Sequence, residues 1–185
     1  MEKQFRILDC QTPYQGFFRL ETYTLQHTLF AGGWSKPIQR ELFRRGNCVA
    51  VLLYDPERDR VVLIEQFRVG AILRDEPPWL LEIVAGAVEA GETSEAVAYR
   101  EAQEEAGCQI QSLLPIQQFY TTPGGASEWL TLYCGLIDSQ DIGGIHGLQE
   151  EDEDIRVIAL DFAEVYDWLS QGRIQSAIPI IAIQW

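Results

Sequence analysis

Carboxylates that could bind a cation are concentrated in residues 86–108, GAVEAGETSEAVAYREAQEEAGC. On a helix, Glu101 and Glu105 would be one turn apart, with Glu104 beside them. Like charges placed in this way destabilise a helix unless a cation binds them. Oxygen ligands without His or Cys suit Mg2+, with Mn2+ as a substitute, better than zinc. The stretch therefore predicts either a divalent-cation site or a solvated acidic helix face.

The elements that position these carboxylates can be predicted from the flanking residues. Thr93 and Ser94 are good N-caps and Gly107 is a typical C-terminal stop, so we predict a helix over about 94–106. Alanines recur every fourth residue and predict a face that packs closely on a sheet, with the charges on the other side: Ala98, Ala102 and Ala106.

Three further features favour the cation site over a solvated face. Gly86 and Gly91 flank the loop before the helix, Arg100 lies among the glutamates, and the apolar run 79–85 predicts a strand leading into the loop. The spacing of these residues, taken together, resembles a complete Nudix box. Its specified positions are Gly86, Glu92, Arg100, Glu101, Ala102, Glu104, Glu105, Gly107 and Cys108.

The composition excludes several classes of protein. With 185 residues, 46% of them hydrophobic, the chain is long enough for a full core in one domain. A formal charge of −14 argues against nucleic acid or an anionic membrane as a partner. No segment is long and apolar enough to span a membrane, and the N-terminus lacks the core of a signal peptide, so we expect a cytoplasmic protein.

The rest of the chain predicts strands and two more helices. Residues 1–33 alternate as in antiparallel strands, and 32–46 form a basic segment that either faces an anion or is a linker neutralised by acids. Residues 138–154 show no periodicity and predict a long loop that is either functional or solvated. The predicted strands are 47–54, 60–67, 117–121, 129–136 and 155–160, and the predicted helices are 162–171 and 174–185.

Motifs outside the box extend the resemblance to the ADP-ribose pyrophosphatase branch of the Nudix hydrolases. They are Arg40-Glu41, Glu65-Gln66-Phe67-Arg68, Trp79-Leu80-Leu81-Glu82, Pro123-Gly124-Gly125, Ser127-Glu128 and Gly144-Ile145-His146-Gly147. The resemblance implies an α/β/α Nudix sandwich with a mixed sheet, over residues 46–185. It also implies a small antiparallel β region over residues 1–45, exchanged across a homodimer.

The resemblance also implies the parts of a metal-dependent site. Glu101 and Glu105 would be the side-chain ligands, the Ala85 carbonyl would complete the set, and Glu153 would be an additional ligand. The base that activates water would be Glu151 in the acidic loop, or Glu104 or Glu105 of the box. Arg100 would hold the box glutamates in place.

Four further residues are candidates for binding substrate. The planar guanidinium of Arg68 matches the oxygens of a diphosphate, although an ion pair with Glu82 is the alternative. Phe17 and Arg40, contributed across a dimer, would hold the adenosine, and cross-strand packing is the alternative for Phe17. Glu128 is a candidate for a ribose hydroxyl.

These inferences predict Mg2+-dependent hydrolysis of ADP-ribose, or a related nucleotide sugar, to AMP and ribose 5-phosphate. Three alternatives remain. The enzyme could act on GDP-mannose or another sugar nucleotide. The chain could be a regulator that binds ADP-ribose without cleaving it, although such regulators usually have an eroded box. An acidic scaffold would bind no nucleotide.

Overall fold

The computed structural model describes residues 2–185, apart from the side chain of Glu151. Within this part of the chain, the strands are β1 Phe5–Gln15, β2 Arg19–His27, β3 Ile38–Arg44, β4 Asn47–Asp55, β5 Arg60–Phe67, β6 Trp79–Glu82, β7 Val84–Ala87, β8 Ser112–Tyr120, β9 Trp129–Leu136, β10 Gly144–His146 and β11 Ile155–Asp161. The helices are α1 Ser94–Ala106, α2 Phe162–Ser170 and α3 Ala177–Gln184, and Val69–Ala71 and Gln149–Glu151 form 3-10 turns.

The contacts within the chain divide it into two compact units. The small unit comprises Met1–Gly46 and Tyr120–Trp129. The large unit comprises Asn47–Phe119 and Leu130–Trp185, and it contains the acidic helix. The small unit thus consists of the N-terminal segment and the residues between β8 and β9.

The large unit is built on an eight-stranded sheet, in which six strands have the order β10-β11-β5-β4-β9-β8 and β6 and β7 are the other two. The β4–β5 hairpin is paired only near its turn, over Leu53–Asp55 and Arg60–Val62. Farther from the turn, β7 pairs with β4 and β6 pairs with β5. This arrangement inserts residues 79–87, which precede the loop before α1, into the middle of the sheet.

The continuous apolar runs of β4 and β5 are buried on both faces, and their residues alternate between two cores. One core contains Val49, Val51 and Leu53 together with the alanines of α1. The other contains Ala50 and Leu52 together with residues of α2 and α3. Helices therefore cover both faces of the sheet, which confirms the predicted α/β/α sandwich.

The small unit contains a three-stranded antiparallel sheet in which β2 lies between β1 and β3. All eleven residues of β1 are exposed, including Phe5 at 71% and Ile7 at 52%. A strand exposed on both faces has no core within its own chain. The segment 32–46, for which a basic linker was one prediction, contains the strand β3, so most of its second half belongs to a sheet.

The other predicted elements agree with the structure in type, and several differ in extent. The helix over 94–106 is confirmed residue for residue as α1. The strand predicted at 79–85 is two strands, because Ile83 separates the part that pairs with β5 from the part that pairs with β4. The region 138–154 is not a structureless loop, since it contains β10, which pairs with β11.

Asp55 is a buried carboxylate next to the turn of the β4–β5 hairpin, and it is 1% exposed. It accepts hydrogen bonds from the backbone N–H groups of Glu57, Arg58 and Ser139, from the Ser139 hydroxyl and from the Arg58 guanidinium. Burial alone would raise the pKa of the Asp55 carboxyl, but these donors outweigh burial and hold it well below its usual range. The ionised carboxylate therefore ties the hairpin to residues 138–140.

We expect Asp55→Asn to lower the free energy of unfolding at neutral pH by about 2–4 kcal/mol, because an amide nitrogen would face donors that now meet an oxygen. The depressed pKa makes this contribution present above the ordinary Asp pKa of about 3.9 and lost as the pH falls further. Urea unfolding at pH 7 and pH 3 should therefore show a smaller difference between wild type and variant in acid. The exposed Asp167→Asn is the control and should match wild type at both values. An Asp55→Asn variant as stable as wild type at pH 7 would contradict this account.

Candidate functional site

Both ends of α1 are fixed by the residues predicted to cap it. The Thr93 hydroxyl oxygen accepts a hydrogen bond from the Ala96 N–H at 3.2 Å. At the other end Gly107 has φ 62°, a left-handed conformation that glycine adopts without a Cβ penalty, and its N–H donates to the Gln103 carbonyl. Ala98 and Ala102 are fully buried against the sheet, as predicted. These contacts set the rotation of the helix and thus the direction of its glutamates.

Glu105 is buried, although the sequence predicted that the charges would lie away from the sheet. Its side chain is on the packed side of α1, and the residue is only 3% exposed. The Ala85 N–H of β7 donates to Glu105 Oε2 at 2.9 Å, which compensates for part of the lost solvation. Among the described residues, Glu105 forms no ion pair. This carboxylate is thus available to a cation at a position that is largely shielded from solvent.

Gly86 lies directly against the Glu101 carboxylate. A Cβ at position 86 would be 1.7 Å from Glu101 Oε1, far inside the contact distance of real atoms. Because Gly86 has no Cβ, the Glu101 carboxylate can lie in the space directly against β7. Glu101 and Glu105 thus both contact the same short segment, Ala85–Gly86, from one helix.

Arg100 bridges three glutamates. Its guanidinium forms ion pairs with Glu92 at 3.2 Å, Glu101 at 2.8 Å and Glu104 at 2.9 Å. The Glu92 carboxylate also accepts a hydrogen bond from the Glu89 N–H, which anchors the loop before the helix. The structure thus shows the clamping arrangement expected of Arg100, and it adds Glu92 as the residue that ties the loop to the clamp.

The electrostatics of the glutamates favour an added positive charge. Burial raises the pKa of Glu105 to about 8, and the charges of Glu101 and Glu153 act in the same direction. Burial also raises the pKa of Glu101, with further contributions from Glu104 and Glu153, although Arg100 opposes them. Repulsion between like charges, which the sequence predicted along this helix, acts in the same direction. The structure supports the direction and identifies burial as the larger cause.

The loop between β10 and β11 lies next to α1. The Gly147 N–H donates to the Glu104 carbonyl at 3.3 Å, so the loop contacts the last turn of the helix. Glu153 Oε2 accepts a hydrogen bond from the Leu148 N–H at 3.2 Å, which holds this carboxylate within the loop. The backbone of Glu151 ends the 3-10 turn, and the side chain of Glu151 lies outside the described part of the structure.

Arg68 follows β5 and forms the ion pair with Glu82 that was predicted as the alternative to phosphate binding. Its Nε donates to Glu82 Oε2 at 2.6 Å, while 42% of the Arg68 side chain remains exposed. Glu82 thus holds one edge of the guanidinium. The two roles are compatible, because the terminal nitrogens offer further donors to an anion.

The remaining candidate residues belong to the small unit and are described within it. Phe17 lies in the turn between β1 and β2 and is 96% exposed, so it is not a cross-strand packing residue in this chain. Arg40 lies on β3 and is also exposed. Glu128 accepts a hydrogen bond from the Thr121 hydroxyl at 2.7 Å and pairs with Arg45 at 2.9 Å.

The donors around Ala85–Gly86 fit a hard divalent cation. They are carboxylate and carbonyl oxygens, and the two glutamates are partly or fully desolvated. Among the described side chains, which do not include that of Glu151, no group of three His, Cys, Asp or Glu residues is arranged to hold a metal ion. Because Glu101 pairs with Arg100, a bound metal would have to compete for that oxygen.

The structure also shows polar residues that the sequence analysis did not assign to the site. Glu92 was recognised only as part of the box, and its ion pair with Arg100 depends on the folded loop. Gln66 was recognised only as part of a motif, and it is a buried amide at the end of β5. A polar residue in register with the apolar Val62 and Ile64 was the available signal for Gln66.

Comparison with known proteins gives one family. The Nudix domain model matches residues 44–177. The ADP-ribose pyrophosphatase of Escherichia coli strain K12 is 46% identical over 97% of this chain and 86% of that protein. A GDP-mannose pyrophosphatase of Cronobacter sakazakii is 35% identical over 79% of this chain and 76% of its own length.

A crystal structure described as an ADP compounds hydrolase has the same fold. It superposes with a TM-score of 0.72 at 19% sequence identity, covering 97% of this chain and 90% of the other. At this identity the likeness concerns the fold alone. In the described part of the chain, every helix is too short or too polar to cross a membrane.

Proposed function

Because this chain belongs to the Nudix family, in its ADP-ribose pyrophosphatase branch, we propose that it hydrolyses ADP-ribose at the pyrophosphate to AMP and ribose 5-phosphate. The observation that carries the proposal is the placement of Glu101 and Glu105 against Ala85–Gly86. Nearly full-length similarity to an ADP-ribose pyrophosphatase supports the same proposal. Similarity to the GDP-mannose pyrophosphatase is lower and covers less of the chain.

The metal that fits this arrangement is Mg2+, with Mn2+ as a substitute. Glu101, Glu105 and the Ala85 carbonyl would hold it, with Glu153 as an additional ligand. When bound, the ion would neutralise charge on the diphosphate. The protein itself contributes the alignment, since α1 and β7 fix the glutamates before substrate binds.

Arg68 is proposed to bind the diphosphate. Its Nε remains with Glu82, which fixes the plane of the guanidinium, and its terminal nitrogens donate to phosphate oxygens. An arginine held along one edge loses less freedom when an anion binds than a fully mobile side chain would. The ion pair with Glu82 therefore prepares Arg68 for this role.

Glu151 is proposed as the base that takes the proton from the attacking water. Of the two alternatives in the box, Glu104 already accepts from Arg100 at 2.9 Å and would have to leave that ion pair to reach a water proton. Glu105 is buried and accepts from the Ala85 N–H. Glu151 lies on a loop that contacts the end of α1 through Gly147 and Glu104. Closure of such a loop over substrate would bring its carboxylate to the water.

The adenosine is proposed to bind between two copies of the chain. Phe17 and Arg40 would both be contributed across the dimer, with Phe17 stacking on the base and Arg40 contacting it, while Glu128 would accept from a ribose hydroxyl. The exposed β1 supports exchange of the N-terminal region in a homodimer, because pairing with a second copy would cover it. Light scattering should then give twice the chain mass of 21.0 kDa, and a monomer at all concentrations would exclude the exchange.

Product analysis on ADP-ribose and GDP-mannose, with and without Mg2+, tests the proposed function. We expect AMP and ribose 5-phosphate from ADP-ribose only when Mg2+ is present, and slower release of GMP from GDP-mannose. Faster cleavage of GDP-mannose would reassign the substrate. Binding of ADP-ribose without release of AMP would show a regulator, and no nucleotide binding would show a scaffold.

A further inference from the structure

Gln66 has a buried amide with an unsatisfied nitrogen. The residue is 6% exposed, and its Nε2 has no hydrogen-bond partner. Among the described residues it is the only buried side-chain nitrogen or oxygen without one. An amide donor that is removed from water and left unpaired costs free energy, so a native protein that keeps one needs a reason. The usual reasons are function and an ordered water.

The position of Gln66 in β5 places it on the same face as the site. Val62 and Ile64 pack in the core that contains the alanines of α1. Side chains alternate along a strand, so Gln66, two residues after Ile64, lies on this α1-facing side. Arg68 lies two residues farther along the extended chain.

The neighbours of β5 restrict where the Gln66 side chain can go. At this end of the strand, β6 pairs with one edge, matching Gln66 with Leu80, and β11 pairs with the other, matching Glu65 with Arg156. Both edges of the backbone are therefore occupied by strands. The Gln66 amide therefore lies on the α1-facing side of the sheet, near the end of β5 that leads to Arg68.

We propose that Gln66 Nε2 donates a hydrogen bond to a phosphate oxygen of the bound diphosphate, beside Arg68. The proposal rests on the proposed function and adds a substrate-binding residue to it. A neutral donor suits this position because a second cation would pair with Glu101 or Glu105 and compete with the metal. An amide that is already desolvated and fixed in a strand binds an anion with little reorganisation.

Gln66→Met tests this role, because methionine has a similar length and shape but no donor. We expect kcat/KM for ADP-ribose to fall by roughly tenfold to a hundredfold. The thermal midpoint should stay the same or rise, because the unpaired buried amide is gone. Gln66→Glu, which places a negative charge near the diphosphate, should lose more activity than Gln66→Met. The exposed Gln117→Met is the control and should leave both activity and stability unchanged.

The outcomes separate three explanations. A fall in kcat/KM without loss of stability supports the proposal. Unchanged kcat/KM with a raised midpoint would show that the amide merely holds water, and a parallel fall in activity and stability would show a structural role. Either of these results overturns the proposal.

The proposed function can fail independently of Gln66. If the wild-type protein does not cleave ADP-ribose, that function is refuted, and Gln66 is then tested by calorimetric titration of inorganic pyrophosphate with Mg2+. Binding at least tenfold weaker to Gln66→Met than to wild type would support the phosphate contact. Equal binding would refute it.

Discussion

Glu151→Gln is expected to hydrolyse ADP-ribose on the order of 100 to 10,000 times more slowly than wild type, with little change in substrate binding. Glutamine keeps the size and hydrogen-bonding capacity of the side chain but cannot take a proton from water. The effect should therefore appear in kcat and not in the dissociation constant of ADP-ribose. Steady-state kinetics together with calorimetric titration measure the two quantities separately.

Glu150→Gln provides the matched control, since Glu150 is adjacent in the same acidic run and exposed. It removes the same charge from the same loop and should retain activity within a few fold. If Glu151→Gln is as active as this control, Glu151 is not the base. Glu104→Gln would then be the variant to measure next.

Gly86→Ala should lower turnover about 100-fold, because a shift of about 1 Å in a catalytic group can have this effect. The added Cβ would lie 1.7 Å from Glu101 Oε1 and 2.1 Å from its Cδ, so the carboxylate must move away. The end of a flexible side chain can move at little cost, and Gly86 is not among the glycines with positive φ. We therefore expect lost activity with a nearly unchanged thermal midpoint.

The Mg2+ dependence of the activity of Gly86→Ala makes the test specific for Glu101. If Glu101 is displaced from a metal position, the Mg2+ concentration for half-maximal activity should rise above that of wild type. Gly70→Ala is the control, because a Cβ there meets no atom within 4 Å and its φ is not positive. Full activity of Gly86→Ala at wild-type Mg2+ would contradict the assignment of Glu101.

The sequence was most informative where structure depends on local rules. The bounds of α1 follow from an N-cap, a glycine stop and helix-forming residues between them, and all of these act within a few residues. The β4–β5 hairpin also depends on residues that are close in the sequence, because a short turn joins its two strands. The α/β/α arrangement followed from the resemblance, and the alternation of β4 between two cores explains it physically.

Features that depend on distant partners were not predictable. The burial of Glu105 depends on an N–H of Ala85, twenty residues earlier, which no helical pattern reveals. The strand β10 is short and exists because β11 offers it a partner. The division of 79–87 into two strands depends on the opening of the hairpin into which it inserts. The spacing of residues in the sequence identified the glutamates, and only the tertiary structure shows that Glu105 is buried.

The ion pairs of Arg100 have a consequence for how the protein responds to its ion supply. Because Arg100 offsets part of the repulsion among Glu92, Glu101 and Glu104, we expect α1 to fold without a metal, unlike small domains whose ligands repel one another until the ion binds. A metal bound as proposed would replace Arg100 at Glu101, so its apparent affinity would be weaker than that of a carboxylate without the ion pair. We therefore expect a protein that is folded without metal and whose turnover rises with the free concentration of the ion.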